Sequence, residues 1–366
     1  MKIGIDAHAL GTRAGGNETY VRLLLRTLHE VAPETDILAL VNRELHGRPN
    51  VAAGFPTHPL PTRSSWIRVP FVLPILAERL KLDLLMVQYN GPPVCRVPYV
   101  VAVHDMVQKR FPDVLPWVDR YRMRVLAAPT LRKARRVFCL TEAMRREAHE
   151  LYNVPSEKID VVPPALDPVF QPIRDEAELG AVRQECGLPE RFILYTGALH
   201  PRKNLVRLAE AFGRLKDRGL PHRLVFTGKP VHYSPLKKKL EALNLGDRLI
   251  FTGYVRTEDL PRLMSAADAF GFVSLYEGFG IPSAEAMACG TPTLVSTDPA
   301  LVEVSGGAAL TCDPLDVDAI EEGLARLLTD NALRARLQQE GPERAKYYSA
   351  ERMARAALAG FERALA

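Results

Sequence analysis

Within Tyr276-Glu277-Gly278-Phe279-Gly280-Ile281-Pro282-Ser283-Ala284-Glu285, two carboxylates stand eight positions apart. Glu277 lies in a glycine-rich turn. Glu285 lies in the second turn of a short helix expected from about Pro282 to Ala288. Pro282 suits a first helical position, so the helix N-terminus falls at the Gly280-Ile281 turn. Backbone amides at such an end can bind an anion, a diphosphate for example. Glu277, before the turn, can accept hydrogen bonds from hydroxyls. Glu285, about one turn along, can hold another hydroxyl pair such as a ribose. Sugar hydroxyl, diphosphate and ribose in series describe a nucleotide sugar. A capping acid followed by an ordinary helix glutamate accounts for the same spacing equally well.

Cations stand at a second strand end. Arg202 and Lys203, in "ALHPRKN", follow the strand "RFILYTG" and precede a helix. Guanidinium grips phosphate oxygens in a fork, and lysine adds a point charge. An exposed Arg-Lys pair is ordinarily mere surface, but its place at a strand end before a helix favours anion binding. His104 ends the strand "YVVAVH". It is either a satisfied core histidine or a donor to a substrate hydroxyl. Gly15 and Gly16 follow the first strand, where glycine lets amides approach a ligand. A tight packing turn explains them equally well. The fingerprint G-x-G-x-x-G is absent there, which disfavours a nicotinamide-dependent oxidoreductase. No D-x-D pair lies in a suitable loop, so no metal is expected.

The elements that must position these residues alternate along the chain. "KIGIDAH", "DILALV", "LDLLMVQ", "YVVAVHD", "RRVFCLT" and "KIDVVPP" are short, β-rich and bounded by turn residues, as buried parallel strands are. The first helix carries Val21, Leu24, Leu25, Leu28 and Val31 at helical spacing. The pattern restarts with "RFILYTG", the helix "NLVRLAEAFGRLKDRG", then "HRLVFTG", "RLIFTGYV", "AFGFVS" and "TPTLVST". Two such series predict an α/β chain of two Rossmann-like, doubly wound domains facing across a deep cleft, with ligands at the carboxyl ends of the strands. "VPPALDPVFQPIRD" holds four prolines and reads as the linker. The expected domains are 1–168, 169–345, and a helix in 346–366 packing back on the first, where Phe361 and Leu365 need a surface to cover.

The 366 residues are 47% hydrophobic and 25% charged, ordinary for a soluble globular protein. Five scattered cysteines without a C-x-x-C pair suggest neither disulfides nor zinc, and point to the reduced cytoplasm. The start "MKIGIDAHAL" lacks a signal peptide's apolar stretch, and no apolar run suits a transmembrane helix. Residues 1–170 hold 23 Lys+Arg against 17 Asp+Glu, and the rest 25 against 26. From Arg120 to Arg146 there are nine basic residues and one acid. That run is either a solvated face or a site of peripheral contact with an anionic membrane or phosphorylated acceptor. It lacks the interleaved aromatics of a nucleic-acid binder, so no nucleic acid is expected.

Taken together, "SLYEGFGIPSAEAMACGTP" resembles the E-x7-E signature of glycosyltransferase family 4, retaining enzymes of the GT-B fold. "GALHPRKNL" resembles that family's cation pair, "GGNETY" its N-terminal glycine loop, and "VAVHDM" its strand ending in histidine. "CLTEAMRREAHELYNVPSEKIDVVPPALDPVF" resembles the segment leading into its linker. Asn17 departs from the aliphatic residue usual in relatives. The resemblance covers essentially the whole chain and implies roles. Glu277 would hold donor-sugar hydroxyls, helped by the amides of Gly278, Phe279 and Gly280, and Glu285 the ribose. Arg202 and Lys203 would neutralise the diphosphate, with Gly16 contributing from the first domain. His104 would contact the sugar near the reacting carbon. The base would lie near Gly228, Tyr254 and Val255. The loops "HDMVQKRFPDVLPWVDRYRMR" and "GALHPRKNL" most resemble bacterial mannosyltransferases of surface polysaccharide. The implied partners are a nucleotide sugar, GDP-mannose ahead of a UDP-sugar, and a glycan or lipid-linked acceptor. An epimerase or phosphorylase of the same fold, or a non-catalytic sugar-nucleotide sensor, is the competing reading.

Overall fold

The computed structural model describes residues 1–12, 15–112, 117–228 and 234–366. Part of the loop after His104, residues 113–116, therefore lies outside the described residues. The chain forms two compact units, Met1–Ala165 with Tyr348–Ala366, and Leu166–Tyr347.

The first unit runs β1 (Lys2–Asp6), α1 (Gly16–Val31), β2 (Asp36–Asn42), β3 (Thr57–Leu60) and α2 (Ser65–Ile67). A π-helical turn, Arg68–Val72, leads on into α3 (Leu73–Arg79). There follow β4 (Leu84–Gln88), β5 (Tyr99–Val103), α4 (Val107–Arg110), α5 (Trp117–Lys133), β6 (Arg136–Cys139), α6 (Glu142–Tyr152) and β7 (Ile159–Val161). The strands make one parallel sheet in the order β3-β2-β1-β4-β5-β6-β7. Every residue of β4 and β5 is buried, which explains their unbroken apolar sequences. Strand order reverses between β1 and β4, where a doubly wound sheet opens a crevice.

The second unit repeats the plan with α7 (Glu176–Glu185), β8 (Phe192–Thr196), α8 (Leu205–Arg214), β9 (Arg223–Thr227), α9 (Ser234–Glu241), β10 (Leu249–Gly253) and α10 (Leu260–Ser265). It continues with β11 (Ala269–Phe272), α11 (Ile281–Ala288), β12 (Thr293–Ser296), α12 (Pro299–Ser305), β13 (Leu310–Cys312), α13 (Val317–Thr329) and α14 (Asn331–Ala345). Its six parallel strands are ordered β10-β9-β8-β11-β12-β13, so the reversal lies between β8 and β11. On α8 the apolar stripe Leu205, Leu208 and Phe212 is buried as the spacing requires. That helix ends at Arg214, and the following Leu215–Arg218 tightens into a 3-10 turn rather than continuing it.

The helix α15 (Ala350–Leu365) belongs to the first unit and packs against α1. Phe361 sets its ring 5.5 Å from Phe138. Arg363 donates to Asp160 at 2.7 Å, and the Ala165 amide meets Met353 Sδ at 3.2 Å. Gly360 allows this approach, since a Cβ there would stand 2.4 Å from the Phe138 ring. Phe361 is fully covered, whereas Leu365, expected to need cover, remains exposed at the helix end.

Candidate active site

The loop leaving β8 is shaped by its own side chains. His200 accepts from the Arg202 amide through Nδ1 at 3.3 Å, and Pro201–Lys203 form one 3-10 turn. Asn204 takes the left-handed conformation, φ 60°, which asparagine tolerates. Its amide donates to the carbonyls of Val273 (3.1 Å) and Pro314 (2.6 Å), tying the loop to the end of β11. Because β8 and β11 are neighbours, the two loops meet.

At that junction Arg202 Nη1 donates to the Tyr276 carbonyl at 2.8 Å and to Glu277 Oε2 at 3.0 Å. Lys203 Nζ donates to Glu277 Oε1 and lies 4.9 Å from the centre of the Phe272 ring. Lys203 and Glu277 are both buried. Burial alone would raise the Glu277 carboxyl, but the adjoining Arg202 and Lys203 outweigh it and hold the group at about 2. The acid is therefore ionised at working pH. The sequence assigned acid and cations to different parts of a ligand. The structure joins them, so Glu277 also holds the two cations in place.

Asp298 supports the cluster from below, a role sequence reading missed. Its Oδ2 accepts from the Glu277 amide at 3.4 Å, while Oδ1 caps α12 through the amides of Ala300 (3.0 Å) and Leu301 (3.2 Å). Burial, countered in part by these amides, raises its carboxyl to about 6. The Asp298-Pro299 pair is a helix-start signal that could have revealed the cap.

From Glu277 the chain passes Gly278 and Phe279 to Gly280, the N-cap of α11 at φ 85°. A Cβ on Gly280 would stand 2.3 Å from Leu301 Cδ2, so the turn requires glycine. The helix starts at Ile281, one residue earlier than expected, with Pro282 second. Ser283 closes the turn by donating to the Gly280 carbonyl at 2.7 Å. Glu285 lies within α11 and is buried. Burial, then the charge of Asp167, pushes its carboxyl up to about 8, so at neutral pH it carries a proton. It can donate as well as accept.

Gly228 and the Tyr254-Val255 turn come together at the ends of β9 and β10. The Gly228 amide donates to the Gly253 carbonyl at 2.8 Å. With φ 141°, a Cβ on Gly228 would lie 2.0 Å from the Gly197 carbonyl oxygen, so β8 and β9 also converge there. Tyr254 is exposed.

Two candidates belong to the first unit. Gly15 caps α1 at φ 60°, and a Cβ on Gly16 would meet nothing within 4 Å. Crowding therefore does not account for Gly16. Next to it, Asn17 accepts from the Tyr89 hydroxyl at 3.2 Å. His104 is buried edge-on to Tyr20 (4.6 Å) and tilted against Tyr89 (5.1 Å). Burial, then nearby His8, lowers its pKa to about 3, so the ring is neutral, and its Nε2 has no hydrogen-bond partner among the described residues.

Two cations, one of them buried, beside a carboxylate at a strand end suit a ligand that is anionic at one end and hydroxyl-rich at the other. Two doubly wound parallel sheets of this kind are the plan of the GT-B fold. Residues 14–170 match Glycosyltransferase Family 4 and residues 183–344 match Glycosyl transferases group 1. The O-antigen chain mannosyltransferase B of Escherichia coli is 33% identical over 72% of this chain and 71% of its own. The serotype-specific mannosyltransferase WbdA of Escherichia coli is 30% identical over 75% of this chain, a match spanning 34% of WbdA. The solved sucrose-phosphate synthase of Thermosynechococcus elongatus has the same fold, with TM-score 0.76 at 19% identity, over 99% of this chain and 98% of that one. The chain belongs to glycosyltransferase family 4 and is a glycosyltransferase.

Proposed function

We propose that this enzyme is a retaining mannosyltransferase that moves mannose from GDP-mannose to a growing glycan, free or lipid-linked, in polysaccharide synthesis. The observation that carries the reading is the Arg202-Lys203-Glu277 cluster, taken with the mannosyltransferases among the relatives. In this reading the diphosphate approaches Arg202 and Lys203, and the sugar hydroxyls occupy the remaining acceptor capacity of Glu277. Glu285 holds the ribose through its carboxyl. The base rests by Gly228, Tyr254 and Val255, and the amides of Gly278, Phe279, Gly280 and Ile281 line the approach. Gly16 and the neutral His104 serve from the first unit, His104 through the unpartnered Nε2.

The demanding step is the charge that develops on the departing diphosphate. Preorganised cations meet that charge without reorganising as it forms. Both are already fixed by Glu277, so no metal is required. The bond from the anomeric carbon to the diphosphate breaks as the acceptor hydroxyl attacks the same face. A phosphate oxygen of the leaving group takes the acceptor's proton. A double displacement needs a carboxylate nucleophile at the anomeric carbon, and Glu277 is committed to its two cations.

A thermal-shift series with GDP, UDP, ADP and dTDP tests the donor, because a ligand of the folded state raises its melting temperature. GDP is expected to stabilise most. Stabilisation by UDP alone would replace GDP-mannose with a UDP-sugar. Product analysis by NMR then reads the anomeric configuration, with inversion the adverse result.

A further inference from the structure

The first unit has one face whose side chains the catalytic reading does not use. Crossovers between parallel strands are right-handed. The step from β1 to β2 runs one way along the sheet, and the steps from β3 to β4 and β5 to β6 run the other. That puts α3 and α5 on the face opposite α1 and α15.

On this face Ile67, Phe71 and Ile75 recur every four residues along α2, the π turn and α3, and are 51%, 62% and 55% exposed. Trp66 beside them is half exposed. The loop before β5 adds Val94 at 76%. This loop bridges the ends of α3 and α5, because Lys133 donates to the Pro93 carbonyl at 2.6 Å and Arg96 pairs with Glu78 at 3.8 Å. Exposed Arg79, Arg96, Arg132 and Lys133 sit at those ends, with the acids Glu78 and, just past α3, Asp83. Clustered exposed apolar side chains mark a docking surface, and apolar residues rimmed by cations suit the headgroup region of a bilayer.

We propose that this face is where the protein rests on an anionic lipid bilayer, with Ile67, Phe71, Ile75 and Val94 entering the headgroup layer. A second copy is the poorer occupant, since a two-fold contact here would set the same cations against one another. The basic run Arg120–Arg146, to which the sequence pointed, is not one stripe. It is divided among α5, β6 and α6, with Arg136 held by Asp160 at 2.6 Å and Arg145 by Glu142 at 3.4 Å. The side chains of Arg122 and Arg124 lie outside those described. The inference rests on the first unit alone and stands whatever sugar the donor carries.

Flotation of the full chain with phosphatidylcholine vesicles, and with equal parts phosphatidylcholine and phosphatidylglycerol, tests it. The protein should float with the anionic vesicles. In a Trp117→Phe background, Trp66 emission should shift to the blue as they are added. The exposed double change Phe71→Ser and Ile75→Ser should lower vesicle affinity by about tenfold or more, with circular dichroism and nucleotide-induced stabilisation unchanged. Undiminished flotation of that variant would overturn apolar insertion. So would a wild type that ignores vesicles but forms a dimer weakened by Phe71→Ser. The Trp66 signal needs no altered docking residue, so an unshifted spectrum also counts against the proposal.

Discussion

Lys203 and Glu277, 74 positions apart in the chain, share a buried ion pair that Arg202 completes from the adjoining position. Glu277 is ionised, and an unpaired charge at such depth is strongly unfavourable. The pair exists because β8 and β11 lie side by side where strand order reverses. The acid is thus both a candidate ligand for the sugar and the group that aims the cations.

Glu277→Ala should leave a folded but less stable protein, because the two cations lose this carboxylate. Turnover is expected to fall by about 10²–10³, the usual loss when a preorganised electrostatic group is removed. Single-turnover transfer assays beside far-UV circular dichroism check this. Unchanged transfer would remove Glu277 from the site.

Lys203→Ala should weaken nucleoside diphosphate binding by about tenfold, or ~1.4 kcal/mol. Isothermal titration reads the difference directly. Equal affinity in variant and wild type would count against any phosphate role for this lysine.

Glu285 makes stability depend on pH. Its folded carboxyl titrates at about 8, above the unfolded value. A raised value means that the folded state holds the proton longer. The stabilisation is complete below the unfolded pKa, declines as pH rises above it, and is gone once pH has passed through about 8. Glu285→Gln cannot ionise, so its melting temperature should exceed that of the wild type at the alkaline end and converge with it in acid. The gap should amount to a few kcal/mol, since one pKa unit corresponds to about 1.4 kcal/mol. The same change should reduce nucleotide affinity. Parallel melting curves at every pH would show that Glu285 is not held protonated.

Gly280→Ala would place a Cβ against Leu301 in a turn with φ 85°. A cost of about 1–3 kcal/mol is expected from the strained conformation. Urea unfolding measures it, and wild-type stability would mean that the turn readily adopts another path.

Chelation gives a further check. On the proposal that Arg202 and Lys203 meet the leaving group, transfer should persist in EDTA after exhaustive dialysis. A rate restored only by added magnesium or manganese would assign that work to an ion.

The sequence was readable where burial is complete. Strands such as β4 and β8 are apolar at nearly every position because both faces are covered, and each stands where its apolar run predicts. The strands β3 and β13 escaped because they are short and only partly buried, so neither shows an unbroken apolar run. An edge tolerates Pro59, which would argue against a central strand. Glu277, Arg202 and Lys203 stood out singly by their place at strand ends. Their union did not, because sequence separation carries no information on which strands are neighbours. Asp298 was missed because a capping aspartate looks the same whether or not its other oxygen serves a distant amide. Burial of Glu285 was also hidden, since an i-to-i+8 spacing is silent about what packs over a helix.

The helix Ala350–Leu365 has a temporal consequence. The sheet it covers is translated early, yet its cover leaves the ribosome only after the entire second unit has been made. Until then Phe138 and its neighbours wait without a lid, in a nascent polypeptide whose other half can already be folding. A lesion that deletes this helix should therefore damage the portion of the molecule synthesised first, and leave the later-made portion intact.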